Sequence, residues 1–352
     1  MPDELEQALA DAGHKPYRAR QILRWMYRRG VHDVAGMTDL PQQLRDKLSR
    51  RMRVHPLRQL AQRQARDGSA KLSFRLPDRA AIETVIMPHG ARATVCVSSQ
   101  VGCAYNCAFC ATGALGLERD LTPPEIVGQI LCAQAVTQAS VTNVVFMGMG
   151  EPLANYEATL KAVRIINHRA CLDISARRIA ISTCGLPEQM RRLAGEGLAL
   201  HLAVSLNAPY DKLRTTLMPV NRRYPVRDVV AAAREYAIRT GRKVAFEYCL
   251  LDGVNDSRAL AAATAKLLRG MPCMVNLIPC NEARAGFRRP PDATVRAFRQ
   301  TLEAQGMEVA VRRPFGEEIA AACGQLAGPS QRRRRQSGPR GRAGSPRRRA
   351  HP

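Results

Sequence analysis

The sequence lacks any long apolar stretch. None of its 352 residues falls in a run of roughly 18 apolar residues, the length that suggests a membrane-spanning helix. The first residues, Met-Pro-Asp-Glu-Leu-Glu, are acidic and contain no apolar core of a secretory signal peptide. Together these absences predict a cytoplasmic protein without a membrane partner.

Acidic residues are also scarce. The chain contains 54 Lys and Arg against 30 Asp and Glu, which gives a formal net charge of +24. Nine Arg and no acidic residue lie in 331–352, and subtracting these nine from +24 leaves +15 on the remainder. A basic surface can serve solubility alone, but this excess favours nucleic acid as the partner. The tail, 329–352, is expected to be disordered and to attract phosphates without reading sequence.

A second pair of closely spaced cysteines is missing as well. Three of the eleven Cys form a C-x3-C-x2-C run, Cys103, Cys107 and Cys110, and no C-x2-C pair follows to complete a common structural zinc site. Three thiolates on a 4Fe–4S cluster leave one iron open to a substrate or cofactor. The spacing therefore favours such a cluster. A three-Cys zinc site completed by a distant His, and unrelated buried thiols, remain alternatives.

Apolar strand-like segments alternate with helical segments after the cysteine run. This alternation predicts an α/β fold, with a parallel sheet that is covered by helices and closed or nearly closed as a barrel over 96–328. The predicted strands are 141–147, 178–183, 198–206, 243–251, 273–279 and 308–312. The predicted helices are 123–138, 156–167, 188–196, 227–239, 258–268 and 292–305.

Two smaller units are predicted before the barrel. Residues 1–66 contain an apolar stripe at helical spacing within 17–29 and a second helical pattern at 41–53. This Arg-rich helical accessory domain either contacts RNA or is an ordinary amphipathic hairpin. Residues 67–95 form a β-type extension, and a last β-type run at 93–98 leads into the cysteine loop.

Polar and glycine-rich motifs stand where the predicted strands end. In a parallel barrel, the chemistry lies at the carboxyl ends of the strands. Gly148 and Gly150 let the backbone approach a ligand, and Glu151 can accept hydrogen bonds from an amine or a ribose. Beside an open iron, these features suit a ligand that chelates iron through its amino and carboxyl groups. S-adenosylmethionine is such a ligand.

The combined pattern resembles the radical S-adenosylmethionine superfamily and, within it, the adenosine methyltransferase group of RlmN and Cfr, over about 17–328. The cysteine run is similar to the superfamily motif. Motifs similar to those of the narrower group are Cys96-x6-Cys103 and segments 147–153, 246–248, 251–256 and 321–326. The resemblance implies a partial (β/α)6 TIM-like barrel of the radical S-adenosylmethionine type.

The resemblance also implies roles for individual residues. Cys103, Cys107 and Cys110 match the ligands of one 4Fe–4S cluster. The family's S-adenosylmethionine contacts are matched by Gly150, Glu151, Ser182, Ser205, Leu206, Asn207 and Asn281. The catalytic positions are matched by Cys323, which the family methylates on sulfur, by its partner Cys96, and by Glu83, assigned as proton acceptor. Asn207 stands where the family commonly has His.

The family's route, carried over by the resemblance, uses two S-adenosylmethionine molecules per turnover. One methylates Cys323, and the second, bound to the cluster, yields a 5′-deoxyadenosyl radical that removes a hydrogen atom from the new methyl group. The carbon radical then adds to an adenine ring. Proton removal and attack by Cys96 on the Cys323 sulfur release the methylated base and leave a transient disulfide. The resemblance therefore implies that Cys96 and Cys323 lie close together.

The implied substrate is C2 of an adenosine in 23S rRNA, together with an adenosine next to the tRNA anticodon. Methylation of C8 is an alternative, because Phe315-Gly316 resembles the Cfr type, whereas 149–153 and 251–256 favour the RlmN type. A non-catalytic iron–sulfur RNA-binding protein is a third interpretation. An electron donor such as flavodoxin or ferredoxin and a monomeric state are also expected.

Overall fold

A computed structural model describes residues 1–31, 33–137, 139–281, 286–312 and 315–327 of the chain. The strands, numbered in sequence order, are β1 (Arg58–Gln64), β2 (Ala70–Arg75), β3 (Ala81–His89), β4 (Arg92–Cys96), β5 (Gln100–Cys103), β6 (Gly116–Asp120), β7 (Ser140–Phe146), β8 (Ile179–Thr183), β9 (His201–Ser205), β10 (Val244–Leu250), β11 (Cys273–Pro279) and β12 (Val309–Val311). The helices are α1 (Pro2–Asp11), α2 (Tyr17–Leu23), α3 (Gln42–Arg51), α4 (Pro123–Val136), α5 (Tyr156–Asn167), α6 (Pro187–Ala194), α7 (Asp211–Leu217), α8 (Val226–Thr240), α9 (Arg258–Leu268) and α10 (Asp292–Ala304).

One ten-stranded sheet organises the described chain. Its order is β1-β2-β3-β4-β7-β8-β9-β10-β11-β12, and β5 pairs with β6 in a separate hairpin. Strands β4 and β7 to β12 run parallel, whereas β1 to β4 pair antiparallel. Within the described residues β1 and β12 are the two edges, so the barrel is partial. The predicted α/β architecture is therefore confirmed.

Alternation along the strands separates the helix-covered core from the interior of the barrel. In β10, Phe246 and Tyr248 are fully buried, and the Tyr248 ring lies 5.0 Å from that of Phe298 on α10, centroid to centroid. The intervening residues, Glu247 and Cys249, point to the other face and line an interior cavity. Because side chains alternate across a strand, one apolar strand both anchors helices and presents polar groups to a site.

The N-terminal helical unit contacts the barrel through charged groups. Helix α2 continues into a π-helical turn over Arg24–Arg28, where the sequence predicts one uninterrupted helix. Arg28 donates to the carbonyl of Arg169 and pairs with Asp173, each at 3.0 Å. Lys161 pairs with Glu4 at 2.7 Å. Helix α1, which the sequence analysis does not anticipate, thus helps to dock this unit.

The predicted extension 67–95 is continuous with the barrel. It supplies β2, β3 and most of β4, and β4 pairs in parallel with β7. The boundaries 1–66, 67–95 and 96–328 stay a prediction. They separate strands that belong to one sheet. The tail, 329–352, lies outside the described residues.

A fully buried arginine fastens the carboxyl ends of two barrel strands. Arg214 donates to the carbonyls of Cys184 at 2.7 Å, Ser205 at 3.1 Å and Leu206 at 3.1 Å. Burial lowers the pKa of its guanidinium below the ordinary value. These bonds hold the loops after β8 and β9, which lie next to or contain the predicted cofactor contacts Ser182, Leu206 and Asn207.

We expect Arg214→Met to lower the free energy of unfolding by about 3 kcal/mol or more, because several buried carbonyls lose a charged donor. Urea unfolding followed by circular dichroism measures the loss. The exposed Arg222→Met is the matched control, with an expected change below about 0.5 kcal/mol. Equal losses in the two variants would show that Arg214 does not fasten the strand ends.

Candidate active site

Two adjoining cavities lie at the carboxyl ends of the parallel strands. The inner cavity, about 180 Å³, is lined by the cysteine run and by residues that end β7 to β10. The outer cavity, about 380 Å³, extends from there to β3 and β4. Their shared walls include Cys110, Asn281, Arg312 and Cys323. The strand-end position predicted for the chemistry is therefore where these cavities are found.

The cysteine loop is shaped by close backbone packing. Gly102 has φ +78°, and a Cβ there would lie 1.9 Å from the carbonyl oxygen of Gly116 on the facing strand. The amide of Ala108 donates to the carbonyl of Leu217 at the end of α7, at 2.8 Å. The hairpin and α7 thus turn Cys103, Cys107 and Cys110 towards one space, and all three line the inner cavity.

The donor set of this loop fits an iron–sulfur cluster. Burial raises the pKa of Cys103 to about 12, and burial together with the neighbouring thiols Cys110 and Cys103 raises that of Cys107 well above its ordinary value. Three soft, desolvated sulfurs on one wall gain most from a cationic centre that binds them as thiolates. Within the described residues, no three His, Cys, Asp or Glu stand close enough to hold a single metal ion.

The glycines after β7 serve a packing role. A Cβ on Gly148 would lie 2.7 Å from the carbonyl oxygen of Val97, and Gly150, at φ +99°, would place one 2.5 Å from Cβ of Gln100. Glu151 is buried, and its carboxylate accepts from the amides of Cys184 at 2.7 Å and Leu153 at 3.0 Å. Burial raises the Glu151 pKa, although these bonds oppose the shift. Both Gly150 and Glu151 also line the inner cavity.

The other predicted cofactor contacts divide into two groups. Ser182, Ser205, Asn207 and Asn281 line the inner cavity. Leu206 is fully buried and is not among the described residues that line either cavity. The Asn281 Oδ1 atom and the Glu247 Oε2 atom are buried without a hydrogen-bond partner in the described residues. Such orphaned acceptors in the cavity wall fit a polar ligand that donates hydrogen bonds.

Asn207, which stands where the resemblance implies a His, bonds to other groups of the protein through its side chain. Its φ is +59°, a left-handed conformation that Asn tolerates better than most residues. Oδ1 accepts from the amide of Cys249 at 2.7 Å, and Nδ2 lies 3.0 Å from the Met218 sulfur. The Asn207 side chain therefore braces the strand ends as well as lining the cavity.

Cys96 and Cys323 meet in the outer cavity. Cys96 ends β4, is buried, and has its pKa raised to about 12 by burial and by the nearby Cys323. Cys323 is itself exposed, although Ala322 and Leu326 of the same loop are buried, and its sulfur lies 4.0 Å from Arg312 Nη1. Both cysteines line the outer cavity, and Cys323 also lines the inner one. None of the eleven cysteines, each within the described residues, forms a disulfide.

Glu83 lies beneath the loop that carries Cys323. Its Oε1 is 3.3 Å from Lys71 Nζ, and its Oε2 accepts from the amide of Ala327 at 3.0 Å. Glu83 is not among the described residues that line the two cavities. The predicted role as proton acceptor stays a prediction, while the contacts of Glu83 are with the protein.

Arg312 is a site residue that the sequence analysis does not identify. It follows β12, and its Nη1 approaches the sulfurs of Met147 at 3.6 Å and Cys323 at 4.0 Å. Its Nη2 lies 3.9 Å from Glu247. The only sequence signal is a basic residue at the end of a barrel strand. Although the residue as a whole is exposed, desolvation of its sulfur in the cavity wall raises the Cys323 pKa, and the positive charge of Arg312 opposes that shift.

We expect Arg312→Leu to slow the S-methylation of Cys323 that the resemblance implies, because the thiolate is the nucleophile and each unit of raised pKa lowers its fraction about tenfold. Mass spectrometry of Cys323 against time, at pH 7 and pH 9, measures the rate. The defect should shrink at pH 9, where more thiolate forms. Arg288→Leu, an exposed arginine paired with Asp252, is the control. An equal defect at both pH values would contradict the electrostatic role.

Comparison with known proteins shows to which family the chain belongs. A model described as the radical SAM superfamily matches residues 97–264, and one described as the ribosomal RNA large subunit methyltransferase N-terminal domain matches 2–54. A probable dual-specificity RNA methyltransferase RlmN from Moorella thermoacetica is 47% identical over 336 residues, which cover 93% of this chain and 95% of the relative. A dual-specificity RNA methyltransferase RlmN from Anaeromyxobacter dehalogenans is 44% identical over 348 residues, which cover 95% and 93%.

A solved structure has the same fold as this chain. The crystal structure of a radical SAM methyltransferase from Sphaerobacter thermophilus matches with a TM-score of 0.90 and 49% identity, covering 93% of this chain and 97% of that one. The fold and the three-cysteine loop thus define a radical S-adenosylmethionine enzyme, which implies a 4Fe–4S cluster and S-adenosylmethionine. More narrowly, the chain belongs to the RlmN family of radical S-adenosylmethionine methyltransferases. The resemblance noted in the sequence is confirmed.

Proposed function

We propose that this enzyme methylates C2 of an adenosine in 23S rRNA, and of an adenosine next to the tRNA anticodon, with Cys323 as the methyl carrier. The observation that carries the proposal is the position of Cys323, in the wall shared by the inner and outer cavities. A carrier there can receive a methyl group and present it to a base in the outer cavity.

The outer cavity has the size and lining that a flipped-out base requires. Its volume of about 380 Å³ lies within the range of roughly 300–1,000 Å³ typical of small-molecule sites. Apolar side chains such as Met87 and Met147 alternate with the polar Thr94 and Asn143. An aromatic base packs against the first kind and hydrogen bonds to the second.

Cys103, Cys107 and Cys110 would hold the cluster, and the polar residues of the inner cavity, Gly150, Glu151, Ser182, Ser205, Asn207 and Asn281, would hold S-adenosylmethionine. When bound, the cluster supplies the electron that starts radical chemistry. Leu206, which is buried behind this wall, supports the backbone of the same loop, because its amide donates to the carbonyl of Glu247 at 3.0 Å.

Cys323 and Cys96 have different roles in the transfer of the methyl group. Cys323 accepts a methyl group on sulfur and, in the bound adduct, its sulfur is joined through one carbon to the adenine. The Cys96 thiolate attacks that sulfur, and the sulfur–carbon bond breaks with its electron pair remaining on carbon. The carbon takes up a proton and becomes the methyl group of the product, while Cys96 and Cys323 are left as a transient disulfide.

The partners follow from charge and chemistry. The net charge of +24 suits an RNA substrate, and the Arg-rich N-terminal helices enlarge the basic surface. A reductant such as flavodoxin or ferredoxin is needed to supply the electron, and we propose that the enzyme acts in the cytoplasm as a monomer. No helix among the described residues has both the length and the apolar character needed to cross a bilayer.

Methylation of C8 is the second candidate function, and the position of Phe315 favours it. Its ring packs edge-on against His89 with centroids 5.3 Å apart, and both residues line the outer cavity. Nuclease digestion and mass spectrometry of RNA treated with the reconstituted enzyme test the choice. The expected product is 2-methyladenosine, and 8-methyladenosine alone would overturn the C2 assignment.

A further inference from the structure

A buried ion pair occupies the face of the β2–β3 ladder that looks towards the outer cavity. Lys71 Nζ lies 3.3 Å from Glu83 Oε1, and each side chain is only 2% exposed. The antiparallel register pairs Lys71 with Val85, and alternation places Met87 on the same face. Val85 and Met87 line the outer cavity, so the ion pair lies beside the cavity lining on the same face of the ladder.

Each member of the pair also holds the backbone of the segment that carries the methyl acceptor. Lys71 Nζ donates to the carbonyl of Ala320 at 2.9 Å, and Glu83 Oε2 accepts from the amide of Ala327 at 3.0 Å. Cys323 lies between these two points. The carbonyl and the amide are both main-chain groups, so they define the path of the segment whatever its side chains are.

We propose that Lys71 and Glu83 form a two-point clasp, with both as positioning residues that hold the 320–327 segment so that the Cys323 sulfur faces the shared wall of the cavities. This inference rests on the proposed function, in which Cys323 carries the methyl group. It gives Lys71 a role that its position in the sequence does not suggest.

Burial explains why the clasp uses opposite charges. A lone lysine or glutamate in this position would leave an uncompensated charge away from water, which is strongly destabilising. As a pair, the two charges neutralise each other and still offer one donor and one acceptor to the segment. A shift of the segment by one residue would break both bonds together, so the pair favours one register.

The opposite side of the segment is tied to the cluster loop. The amide of Ala111, which follows Cys110, donates to the carbonyl of Gly324 at 2.7 Å. The Thr112 hydroxyl donates to the carbonyl of Leu326 at 2.6 Å. The segment is therefore held between the clasp and the loop that bears the cluster ligands. Releasing the clasp removes two of these bonds and leaves the segment held by the cluster loop and by Asn281 Nδ2, which donates to the carbonyl of Cys323 at 3.3 Å.

The test compares Lys71→Met, Glu83→Gln and the double variant with the wild type. Hydrogen exchange of the 316–327 amides, measured before any reaction, reports the segment, and the rate of Cys323 methylation reports its alignment. Each single variant should exchange faster in this segment and methylate about 10- to 100-fold more slowly, because small misplacements of a nucleophile are costly. The double variant should be no slower than the worse single one, since both residues serve one device.

The exposed Arg75→Met on the same strand is the control and should match the wild type in both measurements. The double variant also guards against misfolding, because it removes both buried charges together. If Glu83→Gln methylates Cys323 at the wild-type rate with unchanged exchange, and stalls with RNA attached, then Glu83 is a proton acceptor and the clasp is wrong. If even the wild type never carries a methyl group on Cys323, the proposed function fails, while the exchange data still decide the clasp.

Discussion

Replacing Cys323 with alanine is expected to abolish methylation of RNA, with a loss of about 10³-fold or more, because a covalent carrier has no substitute in this site. The sulfur stands in the wall shared by both cavities, 4.0 Å from Arg312. Alanine leaves nothing to accept the first methyl group. Methyl transfer from isotopically labelled S-adenosylmethionine to RNA, followed by nucleoside mass spectrometry, measures the effect.

The variant should fail without losing its cluster site. Cys103, Cys107 and Cys110 are untouched, so anaerobic reconstitution should give the visible absorption of the wild type. Cys273→Ala is a matched control, because Cys273 begins β11 at the opposite end of the strand from Asn281. The carrier role is wrong if Cys323→Ala still methylates RNA at a substantial rate.

Replacing Cys96 with alanine should instead trap the enzyme on its substrate. In the proposed route the Cys96 thiolate breaks the sulfur–carbon bond that joins the protein to RNA. Among the described residues that line the outer cavity, Cys96 is the one cysteine on β4, so no other cysteine there stands in its position. We expect a covalent protein–RNA adduct that survives denaturing electrophoresis and disappears on nuclease treatment. Turnover should stop after about one event per enzyme.

Two comparisons make this result decisive. Cys171→Ala removes another buried thiol, outside both cavity linings, and should turn over normally without an adduct. The double variant Cys96→Ala/Cys323→Ala should form no adduct, because the linkage needs the Cys323 sulfur. Free methylated RNA from Cys96→Ala at the wild-type rate would remove Cys96 from the mechanism.

The repeating β/α pattern could be predicted because each strand is apolar and bounded by breakers. The strand-end motifs could be located for the same reason, and the residues that line the inner cavity include most of those suggested by family resemblance. The approach of Cys96 to Cys323 was implied by resemblance alone. No periodicity in the sequence connects the end of β4 with a loop so distant along the chain.

What escaped prediction depends on tertiary contacts. Lys71 in a strand pattern is typical of a solvent-facing position, yet it is buried and donates to the carbonyl of Ala320. Gly148 and Gly150 suggest ligand approach, yet their nearest constraints are the backbone and side chains of 97–100. Arg312 has no motif at all. Local sequence patterns do not show which residues distant along the chain come into contact, and these contacts decide the role of each residue.

The clasp has a consequence for biosynthesis. Lys71 and Ala320 are 249 positions apart, so at a translation rate of about 5–20 residues per second the lysine emerges roughly 12 to 50 s before its carbonyl partner. Until then Lys71 and Glu83 cannot form their hydrogen bonds to Ala320 and Ala327. The segment that bears Cys323 can therefore take its place only on a nearly completed barrel, after the strands that end at the two cavities have been synthesised.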